Sequence, residues 1–177
     1  GGLGRDFLAL GAPFRQGDWS ALALMIGVEY VRAAHDAFLL AGADILTGGL
    51  GNDTFKVDSG SDIIIDLGGA TGSGGQTDVL IVTNSATATA NNIIGFTANT
   101  STRNDGTATL NSKAGTNSTI NVGASAAGLY TINGNTGDDI LTGGSGNDII
   151  KGGDGADKIT GGAGDDSITG NAGDDTF

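Results

Sequence analysis

Asp139, Asp148, Asp157, Asp166 and Asp175 recur every nine residues near the C-terminus, each as the sixth residue of a unit. The units run from Gly134 to Thr142, Gly143 to Lys151, Gly152 to Thr160, Gly161 to Thr169 and Gly170 to Phe177, the last one residue short. Carboxylate and backbone carbonyl oxygens are what a hard cation such as Ca²⁺ takes as ligands. The second and fourth positions supply the carbonyls, at Gly144, Gly146, Gly153, Gly155, Gly162 and Gly164. Glycine there permits positive φ and close approach of neighbouring backbones, so the turn is tight and its carbonyls are open to a metal. Bonding of each Asp to its own turn backbone is the alternative role; five in register favour a ligand.

The eighth position of each unit is large and apolar: Leu141, Ile150, Ile159, Ile168 and Phe177. Mostly polar neighbours give an out, in, out alternation, the mark of a short strand. One unit is then a turn plus a strand, and two units close a coil with a turn on each side. Coils stack about 4.8 Å apart through parallel strand hydrogen bonds. Turns on one side come from alternate units, so Asp139 faces Asp157, Asp157 faces Asp175, and Asp148 faces Asp166 on the other side. The segment from Gly134 holds nine acids and two lysines. Each close pair of stacked carboxylates costs on the order of several kcal/mol even at an effective dielectric near 20. A cation between them is required, and folding should depend on it.

The unit Gly-Gly-x-Gly-x-Asp-x-U-x, with U apolar, resembles the nonapeptide of the RTX family, the repeats-in-toxin or hemolysin-type calcium-binding repeats. The resemblance implies a mainly β fold: a right-handed parallel β-roll, or β-solenoid, with Ca²⁺ between turns on both edges. It also implies an extracellular or cell-surface location in a Gram-negative-type bacterium, reached through a type I exporter that reads an uncleaved C-terminal signal.

A second block keeps the same phase. Gly42, Asp44 and Leu46 fill positions 4, 6 and 8 of a degenerate unit, Gly48 to Lys56 is a full match with Asp53, and Gly60, Asp62 and Ile64 continue it. Asp44 faces Asp62, with Asp53 on the other edge. Asp78 and Leu80 keep the spacing of positions 6 and 8 after a Gly-rich loop. Gly1 to Ala9 matches the unit once more, in isolation. Asp18 suits an N-cap, and the Ala, Leu and Ile-rich run that follows predicts one N-terminal α-helix over 18–41, interrupted by charge and so not membrane-spanning. The organisation read from these blocks is 1–38, a partial repeat and helix; 39–68, a first repeat block; 69–133, a calcium-free β-rich insert; and 134–177, the C-terminal block. In the insert, runs at Val79 to Asn84, Thr107 to Leu110, Thr119 to Val122 and Leu129 to Asn133 read as strands, a disordered linker being the alternative. Asn104-Asp105-Gly106 marks a turn or hairpin.

Across 177 residues the chain has 34 Gly, one Pro, no Cys and a formal charge of −12. Gly-rich, aromatic-poor sequence suits a solenoid. Acidity excludes nucleic acid and polybasic membrane attachment, and the lack of Cys excludes disulfides and thiolate metal sites. The single His35 has no partner at ligand spacing. No catalytic site and no organic cofactor site is read: His-Glu-x-x-His and Gly-x-Ser-x-Gly are both absent. The chain begins Gly1-Gly2 and stops within a repeat, which reads as a fragment of a longer protein without a visible signal peptide.

Two functions remain open. One is a calcium-assembled structural module of a secreted or cell-surface protein, S-layer or adhesin-like, with self-association or a cell-surface partner. The other is the calcium-dependent folding and secretion domain of an exported enzyme or toxin. Ice binding, known in some RTX adhesins, finds no support at position 3, where Thr136, Ser145, Asp154, Ala163 and Ala172 form no rank.

Overall fold

A computed structural model describes residues 44–68, 77–126 and 128–177. The expected helix over 18–41 and the isolated repeat at 1–9 lie outside the described residues, as does most of the Gly-rich loop.

Alternation of inward apolar and outward polar residues produces fourteen short strands. In chain order they are β1 (Ile45–Leu46), β2 (Thr54–Val57), β3 (Ser61–Ile64), β4 (Val79–Val82), β5 (Thr87–Ile93), β6 (Gly95–Thr97) and β7 (Arg103–Asn104). They continue as β8 (Thr107–Ser112), β9 (Thr119–Asn121), β10 (Tyr130–Asn133), β11 (Ile140–Thr142), β12 (Ile149–Asp154), β13 (Lys158–Thr160) and β14 (Ser167–Ala172). The described residues contain no helix.

Every ladder is parallel, and the strands wind as a β-solenoid. One side is a seven-stranded sheet, β1-β3-β5-β8-β10-β12-β14; the other is split into β2-β4-β7 and β6-β9-β11-β13. The split falls in one coil, which supplies both β6 and β7: β7 pairs back onto β4, while β6 pairs forward onto β9. The register advances by 18 residues per coil in the C-terminal block and between β1 and β3, as in Ile149 with Ser167 and Asp44 with Asp62, but by 25 between Asp53 and Asp78 on the other side. Between the two repeat blocks the coils are longer, Ser61 pairing with Thr87, Thr87 with Thr107 and Ala108 with Tyr130. The extra residues are absorbed at corners and at an irregularity between Ala90 and Ile93, where Asn92 takes φ 60°.

The inter-block segment is therefore stacked strand, from β4 through β10. Asn104-Asp105-Gly106 turns a corner between the two sides; a hairpin is ruled out because β7 and β8 belong to different, parallel sheets. There Arg103 Nε pairs with the Asp105 carboxylate. β5 escapes the hydrophobic pattern because its inward residues include Ala88 and Ala90, small side chains that carry little signal.

The core lies between the sheets. Phe55, Ile64, Leu80, Ile93, Phe96, Leu110, Ile120, Tyr130, Ile132, Leu141, Ile150 and Ile159 are buried. The Tyr130 hydroxyl pairs with Ser125 Oγ at 2.7 Å, so its polar tip is satisfied. Outside, an amide ladder runs along the stack, Asn133 Nδ2 donating to Asn111 Oδ1 and Asn111 Nδ2 to Asn91 Oδ1. Phe177, at an inward position by pattern, is exposed because no coil covers it among the described residues.

Ile132→Ala should lower the unfolding free energy by about 2–5 kcal/mol, the range for truncating a buried aliphatic. Ile63→Ala, on the outer face of the same sheet, should change it by about 0.5 kcal/mol or less. Denaturant unfolding in saturating calcium measures both.

Candidate metal centre

The sixth residue of each unit sits at the end of a turn, immediately before or at the start of a strand. Parallel stacking therefore places these residues in columns along the two edges. One column reads Asp62, Ala88, Ala108, Tyr130 and Asp148 through the register of the seven-stranded sheet, with Asp44 before it and Asp166 after. The opposite edge carries Asp53 and Asp78 in the first block, and Ser118, Asp139, Asp157 and Asp175 in the last.

Each carboxylate reaches back by one coil. Asp157 Oδ1 accepts from the Asp139 N–H at 2.8 Å, Asp175 Oδ1 from Asp157 at 3.0 Å, and Asp166 Oδ1 from Asp148 at 2.8 Å. In the first block Asp62 Oδ1 accepts from Asp44 at 3.1 Å, and Asp78 Oδ1 from Asp53 at 3.0 Å. The pairing expected from an 18-residue coil is the pairing observed, with one refinement: one oxygen of each pair meets a backbone donor rather than the neighbouring carboxylate.

The second oxygen decides the chemistry. Asp62, Asp139 and Asp157 are nearly fully buried, and their Oδ2 atoms have no hydrogen-bond partner. A buried anionic oxygen without a partner is costly. Burial, the largest cause, raises the carboxyl pKa of Asp62, Asp139, Asp148 and Asp157, and that of Asp139 reaches about 6. Backbone donors offset part of this, while the neighbouring carboxylate of the next coil adds to it at Asp139.

Glycines keep the space over these oxygens open. A Cβ on Gly134 would lie 2.6 Å from Asp139 Oδ2 and also strike the Gly152 carbonyl of the next coil. On the other edge a Cβ on Gly143 would meet Asp148 Oδ2 at 2.6 Å together with the Gly161 carbonyl, although this oxygen already accepts from the Gly144 N–H at 2.7 Å. The carbonyls of Asn135 and Gly144 point at Gly153 and Gly162 of the following coil, and those of Gly137 and Gly146 at Gly155 and Gly164. Gly155 has φ +143°, a conformation closed to L side chains. Carboxylate oxygen and carbonyls thus converge between stacked turns, the oxygen set that Ca²⁺ prefers. Among the described residues no three acidic or histidine side chains cluster. A cation here would draw on one or two carboxylates and on the backbone.

Asp78 is an addition to the sequence-derived set. It occupies the column position above Asp53, as its spacing to Leu80 signalled, but both its oxygens are engaged, by the N–H groups of Asp53 and Gly68. Asp66 likewise accepts from Gly48 and Gly49 at 2.9 and 2.6 Å. These two carboxylates close the turn with hydrogen bonds, unlike Asp62 and Asp157.

The raised carboxyl pKa values fix a sign. A carboxyl whose folded pKa lies above its unfolded value stabilises the fold below the unfolded pKa, and that contribution is lost as pH rises through the folded pKa. In chelator the C-terminal coils should therefore gain stability on acidification from neutrality to below about 6, the Asp139 value. Calcium affinity should fall over the same range, because protons and cation compete for the same oxygen. Thermal melts in chelator and calcium titrations across that range check both. Asp157→Asn keeps the acceptor for the Asp139 N–H and removes the charge. It should weaken calcium binding at least ~10-fold while leaving the metal-free fold as stable or more so, since only the buried charge is lost.

Residues 40–65, 131–159 and 151–177 match the family described as RTX calcium-binding nonapeptide repeat (4 copies). Among curated proteins and among solved structures, nothing matches the chain. With the repeat phase, the stacked carboxylates and this match in agreement, residues 40–65 and 131–177 are identified as RTX calcium-binding nonapeptide repeats.

Proposed function

We propose that this chain is a structural module of a secreted or cell-surface bacterial protein, binding Ca²⁺ between stacked turns and acquiring its full fold only after export. The observation that carries the proposal is the set of buried Asp oxygens without a partner, that of Asp62 on one edge and those of Asp139 and Asp157 on the other. Calcium supplies the positive charge those oxygens lack. The chain holds them buried at the coil edges and presents turn carbonyls to complete the oxygen shell. Extracellular calcium modules work near 10⁻⁴ to 10⁻³ M, so a chain of this kind stays open where calcium is scarce and closes outside the cell. The coil is right-handed, the sense of nearly all parallel crossovers. No catalytic role is assigned, and no described helix is long and apolar enough to cross a membrane.

A surface role, S-layer or adhesin-like, is supported by the outer face of the seven-stranded sheet. Ile63, Thr89, Thr109, Thr131 and Ile149 form one continuous uncharged row there. In a molecule of net charge −12, a neutral flat face is where like-charged neighbours approach at least cost.

Far-UV circular dichroism during a calcium titration, with magnesium as control, tests the folding claim. Calcium should raise the β signal cooperatively and magnesium should not; a signal complete in chelator would defeat it. Sedimentation at high protein concentration in calcium tests the surface role, which predicts association and is contradicted by a strict monomer.

A further inference from the structure

The two halves of the described solenoid solve the same stacking problem with different material. Between residues 77 and 133 fourteen apolar side chains are buried, among them Leu80, Ile93, Phe96, Leu110, Ile120 and Ile132; between 134 and 177 only Leu141, Ile150 and Ile159 are. Where the repeats place carboxylates at the coil edge, the intervening coils place Ala88, Ala108, Tyr130 and Ser118. Stacking those coils on one another brings no charge over charge, and the one buried carboxylate of this stretch, Asp78 above Asp53, has both oxygens met by backbone N–H groups. Burial on that scale offsets ordering entropy that the Gly-rich repeats cannot offset alone.

The first repeat is seated directly on this surface by neutral partners. Asp139 Oδ1 accepts from the Ser118 N–H at 2.7 Å, and Asp148 Oδ1 from Tyr130 at 2.8 Å. Asn117 Oδ1 accepts from the Asp138 N–H at 3.0 Å, and Asn135 Nδ2 donates to the Ser112 carbonyl at 2.8 Å. Within this block a carboxylate first faces a carboxylate when the next coil is added, Asp139 beneath Asp157 and Asp148 beneath Asp166.

From this we infer that the coils from β4 to β10 fold without metal and act as the template on which calcium assembles the C-terminal repeats in sequence. The inference rests on the calcium-driven assembly proposed above, and adds its order and its starting point. A solenoid gains stability from nearest-neighbour interfaces, so a preformed end removes the nucleation cost for the first calcium-bound coil. Calcium then governs how far the stack extends.

Hydrogen exchange on the full chain, read by mass spectrometry in chelator and along a calcium titration, tests this. In chelator, amides of β5, β8 and β10 should exchange at least ~10-fold more slowly than those from Ile149 onward, and calcium should add protection chiefly to the latter. If both groups exchange freely in chelator and gain protection at one calcium midpoint, the template is overturned while calcium-driven folding stands. Full protection of both in chelator overturns calcium-driven folding and the template with it. Leu110→Ala, within the template, should raise the calcium midpoint of the repeats at least ~3-fold, because the template is then folded in a smaller fraction of molecules. Asp157→Asn should leave β8 protection in chelator unchanged. An unaltered repeat midpoint in Leu110→Ala, or lost β8 protection in Asp157→Asn, contradicts the inference.

Discussion

A buried carboxylate with one oxygen on a backbone N–H and the other on nothing is the constraint around which the repeat coils are arranged. Asp139 and Asp157 each accept a bond from the preceding coil and keep Oδ2 in reserve. The first bond sets the register, since it is made only when the coils are offset by one full turn. The unused oxygen sets the requirement for a cation, because burial in the absence of a countercharge disfavours the ionised form. Glycine at the neighbouring positions follows from both: a methyl group on Gly134 or Gly152 would fill the space beside the oxygen.

This constraint explains why coil length changes along the chain. In the C-terminal block, where both edges carry the Asp ladder without a break, the coil repeats every 18 residues, as between Asp139 and Asp157 and between Asp148 and Asp166. Between β3 and β10 the edges are held by apolar and hydroxyl residues and by Asp78, whose two oxygens are both met by backbone N–H groups, and the coils lengthen without losing parallel pairing. Hydrophobic burial is tolerant of corner length in a way that oxygen coordination is not. The two regimes meet at Ser118 and Tyr130, whose N–H groups receive the first carboxylates of the C-terminal block.

The repeats were legible in the sequence because their spacing is fixed by chemistry. Turn, carboxylate and inward aliphatic recur at the same positions, and strand placement and carboxylate pairing followed for Asp139 with Asp157, Asp157 with Asp175, Asp148 with Asp166 and Asp44 with Asp62. That one oxygen of each pair meets an N–H could not be read from spacing, since it depends on the pitch of the stack. The segment between the blocks was legible only in part. Thr107 to Leu110 and Leu129 to Asn133 alternate with large inward residues, whereas β5 buries Ala88 and Ala90 and reads as polar sequence. The split of one side into two sheets within a single coil leaves no local signal, being a consequence of three-dimensional offset. Asp78 carried the right spacing, but its satisfaction by Gly68 depends on a loop whose path the sequence does not specify.

The most direct test of the account is a crystal structure grown in calcium, with anomalous scattering used to locate the ions. The account predicts peaks between stacked turns, in contact with Oδ2 of Asp139 and Asp157 and with adjacent turn carbonyls, and none along the edge beside Ala88 and Ala108. Empty turns at Asp139 and Asp157 in saturating calcium would contradict it, and would leave the Asp columns as hydrogen-bonding ladders alone.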